Sequence, residues 1–187
     1  MANQIKIALT GKMRSGKDTV ADYLVDKYEF TPFRFSEGIW ATIRLLYPQA
    51  AASKEKPRRL LQEIGQKLRM VDENIWVNYM FNEIERLGAS LIVVTDLRQP
   101  NEYQALRENG FFIVRVKADE GVRLNRIMSE NDNFTINDLH HETEMHLDSF
   151  KVDYELDNNG TLEDLHNQIE VMFNEINPKG GKQGGDY

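Results

Sequence analysis

The sequence predicts an α/β fold of three layers, in which helices cover both faces of a parallel sheet of about five strands. Three observations carry that prediction. Short apolar runs recur at residues 5–9, 91–95 and 111–116, as strands buried on both faces require. Stretches with helical spacing of apolar residues separate them. A glycine-rich segment at residues 11–19 joins the first run directly to the first helix. At 187 residues the chain has the length of one domain.

Taken in order, the run at 5–9 opens the sheet, and Val20, Leu24 and Tyr28 then share one face of a helix. Leu61, Ile64 and Leu68 form a second such stripe, and Trp76, Met80 and Ile84 a third. Ahead of these two, residues 49–57 read as a mobile connection. The 91–95 strand leads into a helix over 101–109, and the 111–116 strand into a helix with Arg123 and Arg126 on one face. Residues 152–156 alternate apolar and acidic side chains, the pattern of a strand covered on one face and therefore lying at a sheet edge. Thr161 with Asp164 gives a capping-box signature ahead of Leu162, Leu165, Ile169, Met172 and Phe173. The domain is expected over 1–176, and the Gly-rich remainder, 177–187, reads as a flexible tail.

Composition narrows the chemistry. Hydrophobic residues at 41% and charged residues at 28% are ordinary for a globular protein, while a formal net charge of −7 disfavours a nucleic acid polymer as partner. The absence of cysteine excludes disulfides and a cysteine-based zinc site. No apolar run reaches the roughly eighteen residues of a membrane span, and the N-terminal residues lack the regions of a signal peptide. No membrane partner and a cytoplasmic location are expected, and any phosphate chemistry must be local.

The segment Gly11-Lys12-Met13-Arg14-Ser15-Gly16-Lys17-Asp18-Thr19 has the glycine and lysine spacing of a P-loop, in the strand, loop, helix context that motif requires. Glycines let backbone amides close around phosphate oxygens, the helix N-terminus adds its positive end, and Lys17 supplies a point charge for the β and γ phosphates of ATP. The expected ATP-binding residues here are Gly11, Arg14, Ser15, Gly16, Lys17, Asp18 and Thr19, which puts the sheet among P-loop NTPase folds. Asp18 stands where a P-loop usually offers a hydroxyl to magnesium. It could hold Mg2+ directly or through water, or it could complement the helix dipole.

Asp96-Leu97-Arg98 follows the 91–95 run, at what becomes a strand's carboxyl end, where open α/β sheets bind ligands. Asp96 can hold magnesium or its waters, and Arg98 can grip a phosphate with its planar fork. Arg123 and Arg126 could close over transferring phosphates from a lid at about 119–138. Arg58, Arg59 and Arg69 bracket a helix that could bind an acceptor phosphate. Trp40 and Trp76, with Phe33 and Phe35, could stack on a base, although such positions more often serve a core. The histidines of residues 140–146 lack metal-ligand spacing, so no zinc site is expected there.

Several stretches, in the same order, resemble the phage-type deoxynucleoside monophosphate kinases. They are the 11–19 loop, Leu60-Leu61-Gln62-Glu63-Ile64-Gly65, Asp72-Glu73-Asn74-Ile75-Trp76-Val77-Asn78, and Thr95-Asp96-Leu97-Arg98-Gln99-Pro100-Asn101-Glu102. His141-Glu142-Thr143-Glu144 with Leu147-Asp148, and Leu156-Asp157-Asn158-Asn159-Gly160-Thr161-Leu162, complete the set, which covers residues 4–175. In that family Asp18 is usual. The resemblance implies transfer from ATP to a deoxynucleoside monophosphate with Mg2+, and puts Asn158, Asn159 and Gly160 near the adenine. It implies an acceptor region at about 36–87 in which Arg59, Gln62, Arg69 and Trp76, with Asp96 and Arg98, meet the acceptor. The catalytic charge would come from Lys17, Arg98, Arg123 and Arg126. Animal-type phosphomevalonate kinases carry a similar Gly-Lys-Asp loop, an Asp-x-Arg strand end and a stretch resembling His-x-Thr-Glu, and dephospho-coenzyme A kinases are more distant. Another small phosphorylated acceptor therefore stays open, as does a regulator that binds ATP and transfers nothing. The 60–65 and 72–78 stretches favour a nucleotide, and Arg123 and Arg126 favour transfer.

Overall fold

Strand β1 (Ile5–Thr10) occupies the middle of a five-stranded sheet whose members run parallel. It pairs with β3 (Leu91–Val94) on one side, Ile7 opposite Val93, and with β4 (Phe112–Lys117) on the other, Ile7 opposite Phe112. Strands β2 (Thr31–Phe33) and β5 (Tyr154–Asp157) form the edges, giving the order β2-β3-β1-β4-β5. The computed structural model describes residues 4–129 and 146–177. Among them no helix is long and apolar enough to cross a membrane.

Period-two alternation divides the sheet residues between two cores. Ile7, Leu9, Val114, Val116 and Leu156 pack against α1 (Lys17–Tyr28) and α8 (Leu162–Ile176) through Val20, Leu24, Leu165, Ile169 and Met172. Ala8, Ile92, Val94 and Ile113 face the opposite way, toward α2 (Ser36–Leu46), α5 (Ile75–Leu87) and α6 (Pro100–Glu108). Ile39, Ile43, Trp76, Met80 and Leu106 fill that second core. Leu60, Leu61, Ile64 and Leu68 of α4 (Arg58–Val71) pack on its outer side. The predicted stripes are therefore the buried faces, and each layer exists because a strand apolar on both sides must be covered twice.

The structure adds one strand that no apolar run announces and shifts two local boundaries. Strand β2 is short, with Pro32 at its centre, so it carries no alternating run; an edge position tolerates the proline. The expected connection at 49–57 begins inside a helical turn, α3 (Pro48–Ala51), because proline suits a first helical turn. The edge strand begins at Tyr154, since Asp153 is drawn into bonds of its own: its carboxylate accepts from Ile113 N (2.7 Å) and Arg107 Nη1 (2.6 Å). The capping box of α8 stands as read, Asp164 N donating to Thr161 Oγ1 at 3.1 Å. Helix α7 (Glu120–Ser129) lies in the expected lid; residues 130–138, most of the 140–146 histidine stretch and the tail beyond Asn177 lie outside the described residues.

Candidate active site

The loop after β1 emerges at the carboxyl ends of the strands, where β1 is flanked by β3 and β4. Its shape depends on two glycines. A Cβ on Gly11 would lie 2.3 Å from the carbonyl oxygen of Val116 in β4, and Gly16 has φ 102°, with its missing Cβ 2.0 Å from Asn158 Nδ2. No other side chain fits either place. Lys17, the first residue of α1, is buried and donates from Nζ to the carbonyls of Gly11 (2.7 Å) and Lys12 (3.0 Å). The Ser15 hydroxyl is fully buried and has no hydrogen-bond partner among the described residues, and a Cβ on Gly11 would come within 2.9 Å of it. An orphaned buried hydroxyl is costly unless something polar reaches it.

The outer side of the loop is held by groups from other elements. Arg126 donates from Nη1 to Arg14 O (3.1 Å) and from Nη2 to Asn158 O (2.9 Å), and Arg123 Nη1 reaches Met13 O at 3.4 Å. Asn158 donates to Ser15 O at 2.8 Å. Arg123, Arg126 and Asn158 thus reach the loop through its backbone. Asn159 lies further out, accepting from Asp119 N at 2.7 Å, and Gly160 sits beside Asp164 at the start of α8. Asp18 is 82% exposed, 3.6 Å from Arg34 Nη2, and Thr19 is half-buried one position on.

At the end of β3, Asp96 accepts backbone hydrogen bonds from Phe35 (2.8 Å) and Ser36 (3.0 Å), so it fastens the N-terminus of α2. Arg98 is half-buried. Its amide and that of Gln99 each donate to Glu102 Oε2 at 2.9 Å. Glu102 Oε1 lies 3.5 Å from Arg69 Nη2 of α4. Burial, reinforced by the nearby charge of Asp96, pushes the Glu102 carboxyl up to about 7, although the two amides and Arg69 pull the other way.

Of the expected acceptor residues, Arg69 through its side chain and Arg98 through its amide reach Glu102, and the Asp96 charge acts on the same carboxyl. Trp76 does not offer a face to a base: it is 3% exposed, within the core, and its Nε1 donates to Gly65 O at 3.1 Å. Its apolar neighbours take up the ring, so Trp76 supports the packing of α5 against the sheet. Phe33 and Phe35 are buried in the same core. Arg59 pairs with Glu63 on the exposed side of α4, and Gln62 is exposed. Sequence reasoning missed Arg34, whose Nε donates to Thr95 Oγ1 at 3.0 Å, and gave Glu102 no role. The capping spacing of Gln99 to Glu102 was the available signal for the latter. Two surface clefts, of about 360 and 460 Å³, contain no residue of the loop. Among the described residues no group of three or more acidic or imidazole side chains could hold a metal ion.

Comparison with known proteins follows the same lines. The sequence model of a family described as deoxynucleotide monophosphate kinase matches residues 52–169. At 29% identity the chain is similar to the deoxynucleoside-5'-monophosphate kinase of Escherichia phage T5, over 52% of this chain and 42% of that protein. A protein of Ictalurid herpesvirus 1 (strain Auburn), the uncharacterized ORF77, is also 29% identical, over 59% of this chain and 50% of that one. These matches span half or less of each relative's length. Among solved structures, TT1252 from Thermus thermophilus superposes with a TM-score of 0.59 at 22% identity, covering 93% of this chain and 98% of that one. Shikimate kinase from Acinetobacter baumannii, solved with shikimate, gives 0.58 at 15% identity, covering 97% of each chain. The fold is that of the P-loop kinases.

Proposed function

The chain belongs to the deoxynucleotide monophosphate kinase family, and from that premise we propose that it transfers the γ-phosphoryl group of ATP to a deoxynucleoside monophosphate. The observation that carries the reading is that two groups of residues suited to binding anions follow the adjacent strands β1 and β3. One is the 11–19 loop with Lys17 and the orphaned Ser15 hydroxyl; the other is the Arg98 and Arg69 pair around Glu102. The family match begins at residue 52, after the loop, so the loop supports the reading independently.

In this reading, the loop amides, the start of α1 and Lys17 take the β and γ phosphates of ATP, and the Ser15 hydroxyl gains the partner it lacks. Arg98 and Arg69 hold the acceptor phosphate. Its oxygen is already largely ionised at neutral pH, so no general base is required and the work is alignment and neutralisation of charge. Asp18 fits a role in magnesium binding, being an exposed carboxylate next to Lys17 with room for water ligands. Asp96 fits less directly, since each of its oxygens already accepts a backbone amide. Asp18 would hold magnesium or its waters, and the chemistry the ion would supply there is neutralisation of phosphate charge. Arg123 and Arg126 add positive charge where they hold the loop.

The test is ADP release measured with a panel of deoxynucleoside and ribonucleoside monophosphates, phosphomevalonate and dephospho-coenzyme A. A deoxynucleoside monophosphate should give the highest kcat/KM. A higher value for phosphomevalonate or dephospho-coenzyme A would move the assignment to that acceptor, and ATP binding without transfer to any of them would make the chain a regulator.

A further inference from the structure

Glu102 is the most deeply buried carboxylate near the candidate site, 2% exposed, and the transfer just described does not use it. Its two oxygens do different things. Oε2 accepts from the amides of Arg98 and Gln99, which fixes the turn between β3 and α6 and with it the base of the Arg98 side chain. Oε1 faces the Arg69 guanidinium, a half-buried cation of α4. Gly65, one turn earlier in α4, packs beside this pair: a Cβ there would press on Ile39 Cδ1 at 3.0 Å and touch Arg69 Nη1 at 3.4 Å. The charged side chains that face Glu102 are Arg69 from α4 and Asp96 from the loop after β3.

Holding two amides needs an oxygen but not a charge, since the carbonyl of a glutamine would accept the same bonds. Only Arg69 needs the negative charge. Keeping an ion pair out of water is expensive, and the pair here is a single, long contact. We propose that Glu102 is the positioning residue for the acceptor phosphate: it sets the Arg98 backbone and the Arg69 guanidinium at one point, so that both arginines are arranged before the acceptor arrives. The inference rests on the phosphoryl-transfer reading for what the two arginines bind. It predicts that removing the charge harms acceptor binding selectively, because the ATP loop lies on β1 and shares none of these bonds.

The experiment compares the wild-type chain with Glu102→Gln. Ordering a mobile side chain on binding costs about three- to tenfold in affinity, so acceptor KM should rise by about that factor while KM for ATP stays within about twofold. The ratio of acceptor KM between variant and wild type should be largest above pH 7 and approach one near pH 5.5, as protonation makes the wild-type carboxyl resemble the amide. Dividing one enzyme by the other removes the acceptor phosphate's own ionisation. An unchanged or lowered acceptor KM, an equal change for ATP, or a ratio independent of pH overturns the proposal.

If the wild-type chain transfers phosphate to no acceptor in the panel, the functional reading fails, and a second measurement decides the inference. In 15N NMR the Arg69 Nε–H signal should titrate with the carboxyl in the wild type and shift on adding inorganic phosphate. In Glu102→Gln the titration should vanish and the phosphate response weaken. Identical behaviour in the two proteins overturns the inference. Should Glu102→Gln not fold, Arg69→Lys carries the kinetic test: it keeps the charge, loses the guanidinium's reach, and should raise KM for the acceptor alone. A rise for both substrates, or for neither, counts against Glu102 acting through Arg69.

Discussion

Unfolding the protein in urea between pH 4.5 and pH 8 should show Glu102 acting against stability at the upper end of that range. Its carboxyl ordinarily titrates at 4.5 and is raised to about 7 in the fold, chiefly because burial disfavours the charged form. Between those values the folded chain holds a proton that the unfolded chain has lost, so stability falls as pH rises through the window and levels off above about 7. At roughly 1.4 kcal/mol per pH unit the full interval is worth about 3 kcal/mol, an upper figure because the carboxyl can draw in water when it ionises. Glu102→Gln removes the titration and keeps an acceptor for the Arg98 and Gln99 amides. Subtracting its unfolding free energy from the wild-type value at each pH therefore isolates Glu102 from the other ionising groups. The difference should fall toward pH 7 in favour of the variant, opposite in sign to an exposed carboxylate such as Glu63, which Arg59 holds below its ordinary value. A difference that is flat, or that rises with pH, would refute the burial argument.

Three further outcomes follow from the loop. Lys17→Ala should leave the thermal transition within a few degrees of wild type, because Nζ bonds carbonyls of its own loop, those of Gly11 and Lys12, yet reduce phosphoryl transfer by about 100-fold or more; near wild-type turnover would sink the P-loop assignment. Gly16→Ala forces a left-handed residue to carry a Cβ against Asn158, costing about 1–2 kcal/mol for the backbone and about 1 for the broken Asn158 bond to Ser15, so Tm should drop by about 5–10 °C and ATP binding weaken. Unaltered ATP affinity in a folded Gly16→Ala would show that the loop's shape is not what binds the nucleotide. Asp18→Asn should raise the magnesium concentration for half-maximal transfer and hardly change stability, since the side chain is 82% exposed; superimposable magnesium curves would assign Asp18 to the helix dipole.

What the sequence disclosed and what it hid divide along the range of the interactions. The 11–19 loop was readable because strand, glycines, lysine and helix are neighbours in the chain, and the α8 cap because Thr161 and Asp164 are three apart. The Trp76 stripe was readable as core by its spacing with Met80 and Ile84, and the buried indole agrees with that stripe over a part in binding the acceptor. Strand β2 was not readable, since three residues cannot show an alternation and Pro32 argues against one. Nor was the work of Glu102, Asn158 or Arg34, each of which acts on a partner far away in sequence: Glu102 on Arg69, Asn158 on Ser15, Arg34 on Thr95. Side chains that lock one element to another leave no period.

The same long-range contacts explain how the loop acquires a shape that can bind phosphate. In a trans peptide the carbonyl of one residue and the amide of the next point in opposite directions, and no peptide bond among the described residues is cis. Arg123 takes the Met13 carbonyl, and Asn158 takes that of Ser15. The amides of Arg14 and Gly16 are thereby turned to the other side of the chain. Helix α7 and the end of β5 thus aim backbone donors by pulling on their opposite ends, which needs no phosphate to be present. Preorganised donors cost nothing to reorient when charge develops. The arginines of α7 consequently do two inseparable things: they bring positive charge toward the loop, and they fix the peptide planes on which the loop's own donors ride. A displacement of α7 would alter the field and the donor geometry together, so α7 and the loop form one unit with β1, β4 and β5, while the contact of Glu102 with Arg69 is assembled separately, after β3 and on α4.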